Sequence, residues 1–363
     1  MAPLIKSFYR NSDFFETRIC VTGQHREMLD QVLQLFAIEP DIDLNIMRHN
    51  QDLFDITADV ILAFRGVLRE ERPDYVFVHG DTTTAFCAAL SCFYENVKIC
   101  HIEAGLRTYD LTAPFPEEWN RQAISKLATY HFAPTQVSKE NLINEGIKNS
   151  SIEVTGNTVI DALHQTIRQL ESDKNRQSHV KQILSKAIPF NWATEKFILI
   201  TGHRRENLGD GFLNICKAIK AASTEFPEVQ FVYPVHLNPQ VRAQVHSILL
   251  SSKNIHLIEP LTYEPFVYLL EHCHFVLTDS GGIQEEAPGL GKPVLVMRET
   301  SERPEAIDAG IAKLVGASEL QIVNNIRSLL TVPGIFEQMS CAHNPYGDGK
   351  ASDRIINFMR TVS

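Results

Sequence analysis

The chain has 363 residues, of which 44% are hydrophobic and 21% charged, a balance typical of a soluble protein and, at this length, of two domains. Its formal net charge of −10 argues against nucleic acid as a partner, and no apolar stretch approaches the ~20 residues that a membrane span needs. The seven cysteines are scattered without a CxxC pair, so we expect reduced thiols in a cytoplasmic protein, with a redox or metal role less favoured.

The first predicted element is a helix within residues 1–11, because Leu4, Ile5 and Phe8 share one face at helical spacing. A doubly wound α/β domain normally begins with a strand, which lies inside the sheet. Omitting that strand would leave two strands with unpaired backbone groups and an uncovered apolar slot. We therefore expect the working chain to be longer than this one, unless another segment closes the sheet.

Strands and helices then alternate through the first half of the chain. The predicted strands are 17–22, 75–79, 97–102, 130–133 and 152–155. The predicted helices are one that begins at 23 and others at 59–69, 85–90, 121–127 and 136–146. The strands are short and rich in β-branched or aromatic residues, and strand–helix repeats favour right-handed crossovers and a parallel sheet.

The second half repeats the strand–loop–helix pattern and predicts a second parallel sheet. Its predicted strands are 197–200, 231–235, 255–258, 275–278 and 293–297. Between 158 and 189 the composition shifts to Gln, Lys, Ser and Asp, so we place the domain junction there. We expect domains at 1–160 with 350–363, and at 161–349.

Carboxylates follow two consecutive predicted strands of the first domain. Because ligands of open α/β sheets bind beyond the carboxyl ends of the strands, Asp81 and Glu103 should lie side by side. Glu117 should reach them from its loop, and a helix start at Thr82–Thr84 would hold a phosphate. Any one acid alone is better explained as a cap or a surface residue. Three of them, with Arg107 beside them, favour a site.

The second domain offers candidate anion-binding groups. Ser280, Gly281 and Gly282 precede a predicted helix and present unhindered backbone N–H groups, although this tripeptide is also a common turn. Arg204 and Arg205 could clamp an anion, or could simply be solvated in a loop. Neither a GxGxxG fingerprint, nor a P-loop, nor an HExxH metal motif occurs in the sequence.

Five motifs then resemble one family. They are HGDTTT (79–84), HIEAGLRT (101–108), PFPEEWNR (114–121), TGHRREN (201–207) and DSGGIQEEAPGLGKPVL (279–295). They are similar to motifs of the non-hydrolysing UDP-N-acetylglucosamine 2-epimerases, which are related to two-domain nucleotide-sugar glycosyltransferases. The resemblance implies an α/β fold of two Rossmann-like doubly wound parallel-sheet domains facing a central cleft, as in GT-B-like enzymes. It also implies a homodimer and a terminal helix, 352–361, that crosses back onto the first domain.

The resemblance implies a reaction as well. It is the interconversion of UDP-GlcNAc and UDP-ManNAc through UDP and 2-acetamidoglucal, without a metal, NAD or other cofactor, for bacterial surface polysaccharide. Relatives carry a first strand and a basic turn before residues 1–5, and that turn, absent here, supplies an Arg and a Lys to the nucleotide site. Gln24 and Arg26, otherwise solvated helix-start residues, stand where bacterial relatives bind a second, activating UDP-GlcNAc.

The family register also suggests substrate contacts. Ser280, Gly281 and Gly282 would bind the diphosphate, and Glu286, otherwise read as a surface residue, would bind the ribose hydroxyls. A lone histidine is usually structural, but His203 precedes two arginines where the leaving diphosphate should lie and could donate to the glycosidic oxygen. The remaining substrate-binding candidates are Arg107, Arg204, Arg205 and His236.

The three acids would share the proton transfers at C2. We favour Asp81 and Glu117 for proton transfer and Glu103 for positioning or charge stabilisation, a division that the sequence leaves open. Three other functions also stay open. One is a hydrolysing relative that releases ManNAc and UDP, one is a glycosyltransferase of the same build, and one is an inactive nucleotide-sugar-binding protein that lacks its first strand.

Overall fold

A computed structural model describes residues 1–23, 26–48, 51–202, 210–301 and 303–362, with the backbone alone for Glu27, Met28 and Gln240. The chain forms two compact units, Met1–Ala162 with Tyr346–Ser363, and Leu163–Pro345. Within these described ranges, no helix is both long enough and apolar enough to cross a membrane. All seven cysteines lie in them and are free thiols, and five of the seven are buried.

The first unit contains two parallel sheets. Its strands are β1 (Cys20–Val21), β2 (Ile42–Asp43), β3 (Tyr75–His79), β4 (Lys98–Ile102), β5 (Tyr130–Ala133) and β6 (Ile152–Val154). β1 pairs with β2, and the other four form one sheet in the order β3-β4-β5-β6. The helices are α1 (Ala2–Tyr9), α2 (Arg26–Leu35), α3 (Leu53–Glu71), α4 (Thr83–Tyr94), α5 (Glu117–Leu127), α6 (Gln136–Asn144), the start of α7 (Thr158–Ser172) and α16 (Ala351–Val362).

Among the described residues, β1 and β3 lie in different sheets of the first unit. In the described part of the chain, β1 pairs only with β2 and β3 pairs at one edge only, with β4. The strand predicted at 17–22 is accordingly short, Cys20–Val21, because a one-sided strand has fewer ladder hydrogen bonds to extend it.

Helices cover both faces of the four-stranded sheet. The predicted helix α1 forms, and Leu4 and Phe8 pack with Cys100, Ile102 and Phe132 on one face. The terminal helix α16 joins the same cluster, which confirms that the chain end returns to the first unit. Side chains of a strand alternate between faces, so Ile99 points the other way, into a cluster formed by α3, α4 and α5.

The second unit is built on one six-stranded parallel sheet. Its strands are β7 (Phe197–Thr201), β8 (Gln230–Pro234), β9 (Ile255–Ile258), β10 (Phe275–Thr278), β11 (Val294–Val296) and β12 (Ala312–Leu314), in the order β12-β11-β10-β7-β8-β9. The helices are the rest of α7, then α8 (Lys174–Ala187), α9 (Asp210–Glu225), α10 (Pro239–Leu249), α11 (Tyr263–His272), α12 (Ile283–Gly289), α13 (Pro304–Asp308), α14 (Glu319–Thr331) and α15 (Ile335–Ser340). Every residue of β10 is buried, as expected for a strand covered by helices on both faces.

Candidate active site

The candidate site of the first unit begins at the carboxyl end of β3. This strand runs into Gly80 and Asp81, and Thr82 caps α4, as predicted, by accepting the backbone N–H of Ala85 (3.2 Å). The Asp81 carboxylate lies 2.6 Å from the guanidinium of Arg121, which comes from α5. Because arginine remains protonated at ordinary pH, Asp81 is paired with a permanent positive charge.

Glu103 is held at the carboxyl end of the neighbouring strand, β4. Its backbone φ is +64°, a left-handed conformation that is uncommon for a residue with a side chain. Its Oε1 accepts a hydrogen bond from Asn157 Nδ2 (2.9 Å), and its Oε2 lies 3.7 Å from His79 Nε2. A Cβ at Gly80 would come within 3.0 Å of the same Oε2, so the carboxylate depends on a glycine at this position. Both the backbone and the carboxylate of Glu103 are therefore fixed.

Two adjacent glutamates at the start of α5 have opposite environments. The sequence predicted Glu117 in a loop, but α5 begins at this residue, directly after Pro116. Glu118 is buried and accepts the backbone N–H groups of Thr108 (3.0 Å) and Tyr109 (3.1 Å). Glu117 is half-buried and makes no side-chain hydrogen bond or ion pair with any described residue. Glu118 therefore anchors the loop, whereas Glu117 is available to a ligand.

Arg107 lies inside the unit. Its side chain is fully enclosed, and it donates to both carboxylate oxygens of Glu145 at 2.6 and 2.9 Å. Its other contacts are the carbonyl of Leu106 (2.7 Å) and the hydroxyl of Ser125 (2.9 Å). In this structure Arg107 therefore supports the loop that carries Glu103, and its predicted contact with the substrate stays a prediction.

Histidines near the two acids are neutral at physiological pH. Desolvation lowers the pKa of His79 and of His101 to about 3, and that of His131 to about 4. His101 Nε2 lies 2.8 Å from the carbonyl oxygen of Gly80, so it carries the ring proton and donates it there. The contact between His79 and Glu103 is accordingly not an ion pair at pH 7.

Sequence reasoning did not single out Arg121 or Asn157. A signal for Arg121 existed, because it stands four residues after Glu117 and would share a helical face with it once α5 is extended to that residue. The contact of Asn157 had no such signal. Asn157 follows a glycine and precedes a predicted helix, a position that indicates only a helix cap. Its partner Glu103 is 54 positions away in the sequence.

The second unit presents its candidate phosphate site after β10. The strand runs into Ser280, Gly281 and Gly282, directly before α12, in the strand–turn–helix order that the sequence predicted. The Ser280 N–H donates to the Thr278 hydroxyl (2.9 Å), which fixes the start of the turn. Gly282 is exposed, and a Cβ there would meet no atom within 4 Å, so the backbone is open to an approaching ligand.

Glu286 is not the surface residue that the simpler reading of the sequence suggested. It is 7% exposed on α12, and Tyr263 donates its hydroxyl to Oε1 at 3.2 Å. Burial raises the pKa of Glu286 to about 7. Its neighbour Glu285 is paired with Arg303 at 2.5 Å. Glu286 can therefore change its protonation state near neutral pH, as ligand-binding carboxyls often do.

We expect Glu286→Gln to remove a pH dependence of stability. The folded pKa of about 7 exceeds the ordinary value of 4.5, so the folded protein binds more protons than the unfolded chain between these pH values. The free energy of unfolding therefore falls as pH rises through this window, by about 3 kcal/mol for this group. Urea unfolding at pH 5 and pH 8 measures the effect. The exposed Glu319→Gln serves as the control, and a wild-type pH dependence in Glu286→Gln would contradict the assignment.

The other predicted ligands lie in exposed segments or outside the described residues. His236 is exposed after β8, and its Nδ1 accepts the backbone N–H of Asn238 (3.2 Å). Arg26 is exposed at the start of α2 and pairs with Asp30 (3.0 Å) and with Asp43. The predicted site residues outside the described residues are Gln24, His203, Arg204 and Arg205.

Comparisons with known proteins agree over both units. The model of a family described as UDP-N-acetylglucosamine 2-epimerase matches residues 8–360. A Campylobacter jejuni protein named UDP-N-acetylglucosamine 2-epimerase is 53% identical over 359 residues, which cover 99% of this chain and 93% of the relative. An Escherichia coli K12 protein of the same name is 51% identical over 361 residues, 99% of this chain and 94% of the relative. A crystal structure of UDP-GlcNAc 2-epimerase from Neisseria meningitidis, bound to UDP-GlcNAc, is 49% identical with a TM-score of 0.93, covering 99% of this chain and 96% of that one.

Proposed function

Because the chain belongs to the UDP-N-acetylglucosamine 2-epimerase family and is an isomerase of that kind, we propose that it interconverts UDP-GlcNAc and UDP-ManNAc by eliminating and re-adding UDP. The observation that carries the proposal is the arrangement of acids in the first unit. Asp81 is paired with Arg121, Glu103 is fixed by Asn157, and Glu117 has no partner among the described residues. Such a set offers three carboxylates with different partners, two of them at the carboxyl ends of adjacent strands.

The proposed reaction needs these carboxylates because C2 of the sugar is not next to a carbonyl. When the C1–O bond breaks, its electron pair leaves with UDP and positive charge develops at C1 and the ring oxygen. This charge acidifies the C2 proton, which a carboxylate removes as the C1–C2 double bond of 2-acetamidoglucal forms. Re-addition of UDP to C1 with protonation of C2 from the opposite face gives the epimer.

We assign the roles from the contacts of each acid. Glu117, at the start of α5 and without a partner in the described chain, suits proton transfer, and so does Asp81, which its arginine keeps oriented. Glu103, held by Asn157 on a left-handed backbone, suits stabilisation of charge at C1. His203 would protonate the leaving diphosphate. Glu286 would accept hydrogen bonds from the ribose hydroxyls. Its burial and its pKa of about 7 support this role.

The remaining substrate contacts belong to the same proposal. They are Arg204, Arg205, His236 and the backbone of Ser280, Gly281 and Gly282.

We also propose regulation by a second UDP-GlcNAc at Gln24 and Arg26, assembly as a homodimer, and a role in surface polysaccharide synthesis in the cytoplasm. The reverse reaction should then be slow until UDP-GlcNAc is added, and light scattering should give the mass of a dimer. A hyperbolic, unstimulated reverse reaction would exclude the activator site.

Solvent deuterium tests the proposed reaction. In D2O we expect the product to carry deuterium at C2, because the group that protonates C2 from the opposite face takes its proton from solvent. Proton NMR of the reaction follows both the label and the product. UDP-ManNAc retaining protium at C2 would exclude elimination, and free ManNAc with UDP would show a hydrolysing enzyme instead.

A further inference from the structure

Three hydrogen bonds fix Asn157 in one orientation. The residue is 2% exposed, and its Nδ2 donates to Glu103 Oε1 at 2.9 Å. Its Oδ1 accepts the backbone N–H of Val159 (3.2 Å), which caps the start of α7. Its own backbone N–H donates to the carbonyl of Tyr346 (2.7 Å). A flipped amide would place oxygen against the carboxylate, so the network allows a single assignment.

The backbone that carries Asn157 is also held tightly. A Cβ added to Gly156 would come within 3.2 Å of the Cα of Gly347, so the two segments approach as closely as glycines permit. Further along α7, Asp161 accepts the backbone N–H groups of Ala351 (3.1 Å) and Ser352 (2.8 Å) at the start of α16. The Asn157 amide is therefore presented to Glu103 from a fixed frame.

We propose that Asn157 is a positioning residue of the reaction, which orients the Glu103 carboxylate through its side-chain amide. This inference rests on the proposed function, in which Glu103 stabilises charge at C1. The other carboxylate oxygen faces Gly80 and the neutral His79, and neither offers an ionic partner. Hydrogen bonds to a carboxylate are stronger than those between neutral groups, so the amide sets the plane of the carboxyl group.

Asn157→Asp tests the inference with an isosteric change. Aspartate keeps the oxygen that caps α7, but it replaces the donor to Glu103 with a like charge. We expect kcat to fall roughly 10–100-fold and KM to change by less than about threefold, with a lower melting temperature because two carboxylates then share one buried site. Asn157→Ser also keeps a cap, but it lacks both the donor and the charge, and should lose less activity. A kcat within about twofold of wild type for both variants would overturn the proposal.

A double-mutant cycle separates positioning from a structural effect. Glu103→Gln already removes the carboxylate that the amide orients, so adding Asn157→Asp should cost little further activity. In the double variant, the carboxylate introduced by Asn157→Asp can accept a hydrogen bond from the amide introduced by Glu103→Gln, so the contact survives with its direction reversed. If the fold-losses in kcat of the two single variants multiply in the double variant, Asn157 acts independently of Glu103 and the inference fails.

The inference and the proposed function can fail separately. Formation of UDP-ManNAc by the wild type tests the function alone. Crystal structures of the wild type and Asn157→Ser test the positioning alone, because without its amide donor the Glu103 carboxylate should leave its wild-type orientation in the variant. An unmoved carboxylate would contradict the inference even in a fully active enzyme.

Discussion

Replacing Asp81 with Asn, or Glu117 with Gln, is expected to lower kcat roughly 10²–10⁴-fold, because each change removes a group that we assign to proton transfer. The protein should stay folded. Arg121 keeps its contact with Glu118 (3.2 Å) when Asp81 is neutralised, and Glu117 has no partner in the described chain that its loss would strand. Turnover measured by NMR in both directions, beside circular dichroism, gives the two readouts together.

Two control variants make this result specific. Glu140→Gln changes the same charge on the exposed side of α6 and should leave kcat unchanged. Glu118→Gln changes the neighbour of Glu117, but it weakens the acceptor of two loop N–H groups, so it should lower stability as well as activity. Near-wild-type turnover in folded Asp81→Asn and Glu117→Gln would show that the site is wrongly assigned.

Much of the fold was predictable because many of its strands are short, apolar runs of sequence. Runs such as 75–79 and 275–278 are short and almost wholly apolar, and the structure places strands at these residues. The sequence analysis missed the strands β2 and β12, and β12 shows why. It is three residues long and contains the exposed Lys313, so hydrophobic periodicity gave no signal there.

The start of α5 was misplaced for a related reason. The apolar residues that mark its buried face come late in the helix, at Ile124 and after, so the pattern indicated a helix only from residue 121. The prolines before Glu117 indicated a turn, and they do form one. The structure shows that the turn ends at Pro116, which moves the glutamate from a loop to the first turn of a helix.

The sequence predicted the acids of the candidate site, but it did not predict the residues that they pair with. Asp81 and Glu103 follow adjacent strands, and β3 and β4 pair with His79 opposite Ile102, so a topological rule brings the two acids together. No local rule pairs Asp81 with Arg121, 40 positions later, or Glu103 with Asn157, 54 positions later. These contacts depend on how the loops cross the sheet edge.

The ion pair of Arg107 with Glu145 also joins residues that are far apart in the sequence. We expect this pair to make a large contribution to the stability of the first unit. Glu145→Ala is expected to lower the free energy of unfolding by about 3–5 kcal/mol, because it leaves a fully enclosed guanidinium without its carboxylate. Urea unfolding followed by circular dichroism measures the loss. Glu16→Ala removes a partner of Arg18 in a pair whose side chains are 82% and 54% exposed, and it should cost less than about 1 kcal/mol.

A paired replacement then tests whether Arg107 supports the loop or binds the substrate. Arg107→Met with Glu145→Leu removes both charges, so the double variant should be more stable than either single one, although it still loses the contacts to Leu106 and Ser125. If Arg107 only supports the loop, the double variant should recover a KM close to wild type together with its stability. Recovered stability with a KM that stays high would instead favour the contact with the substrate. If the losses in unfolding free energy of the two single variants simply add in the double variant, the buried ion pair itself would be contradicted.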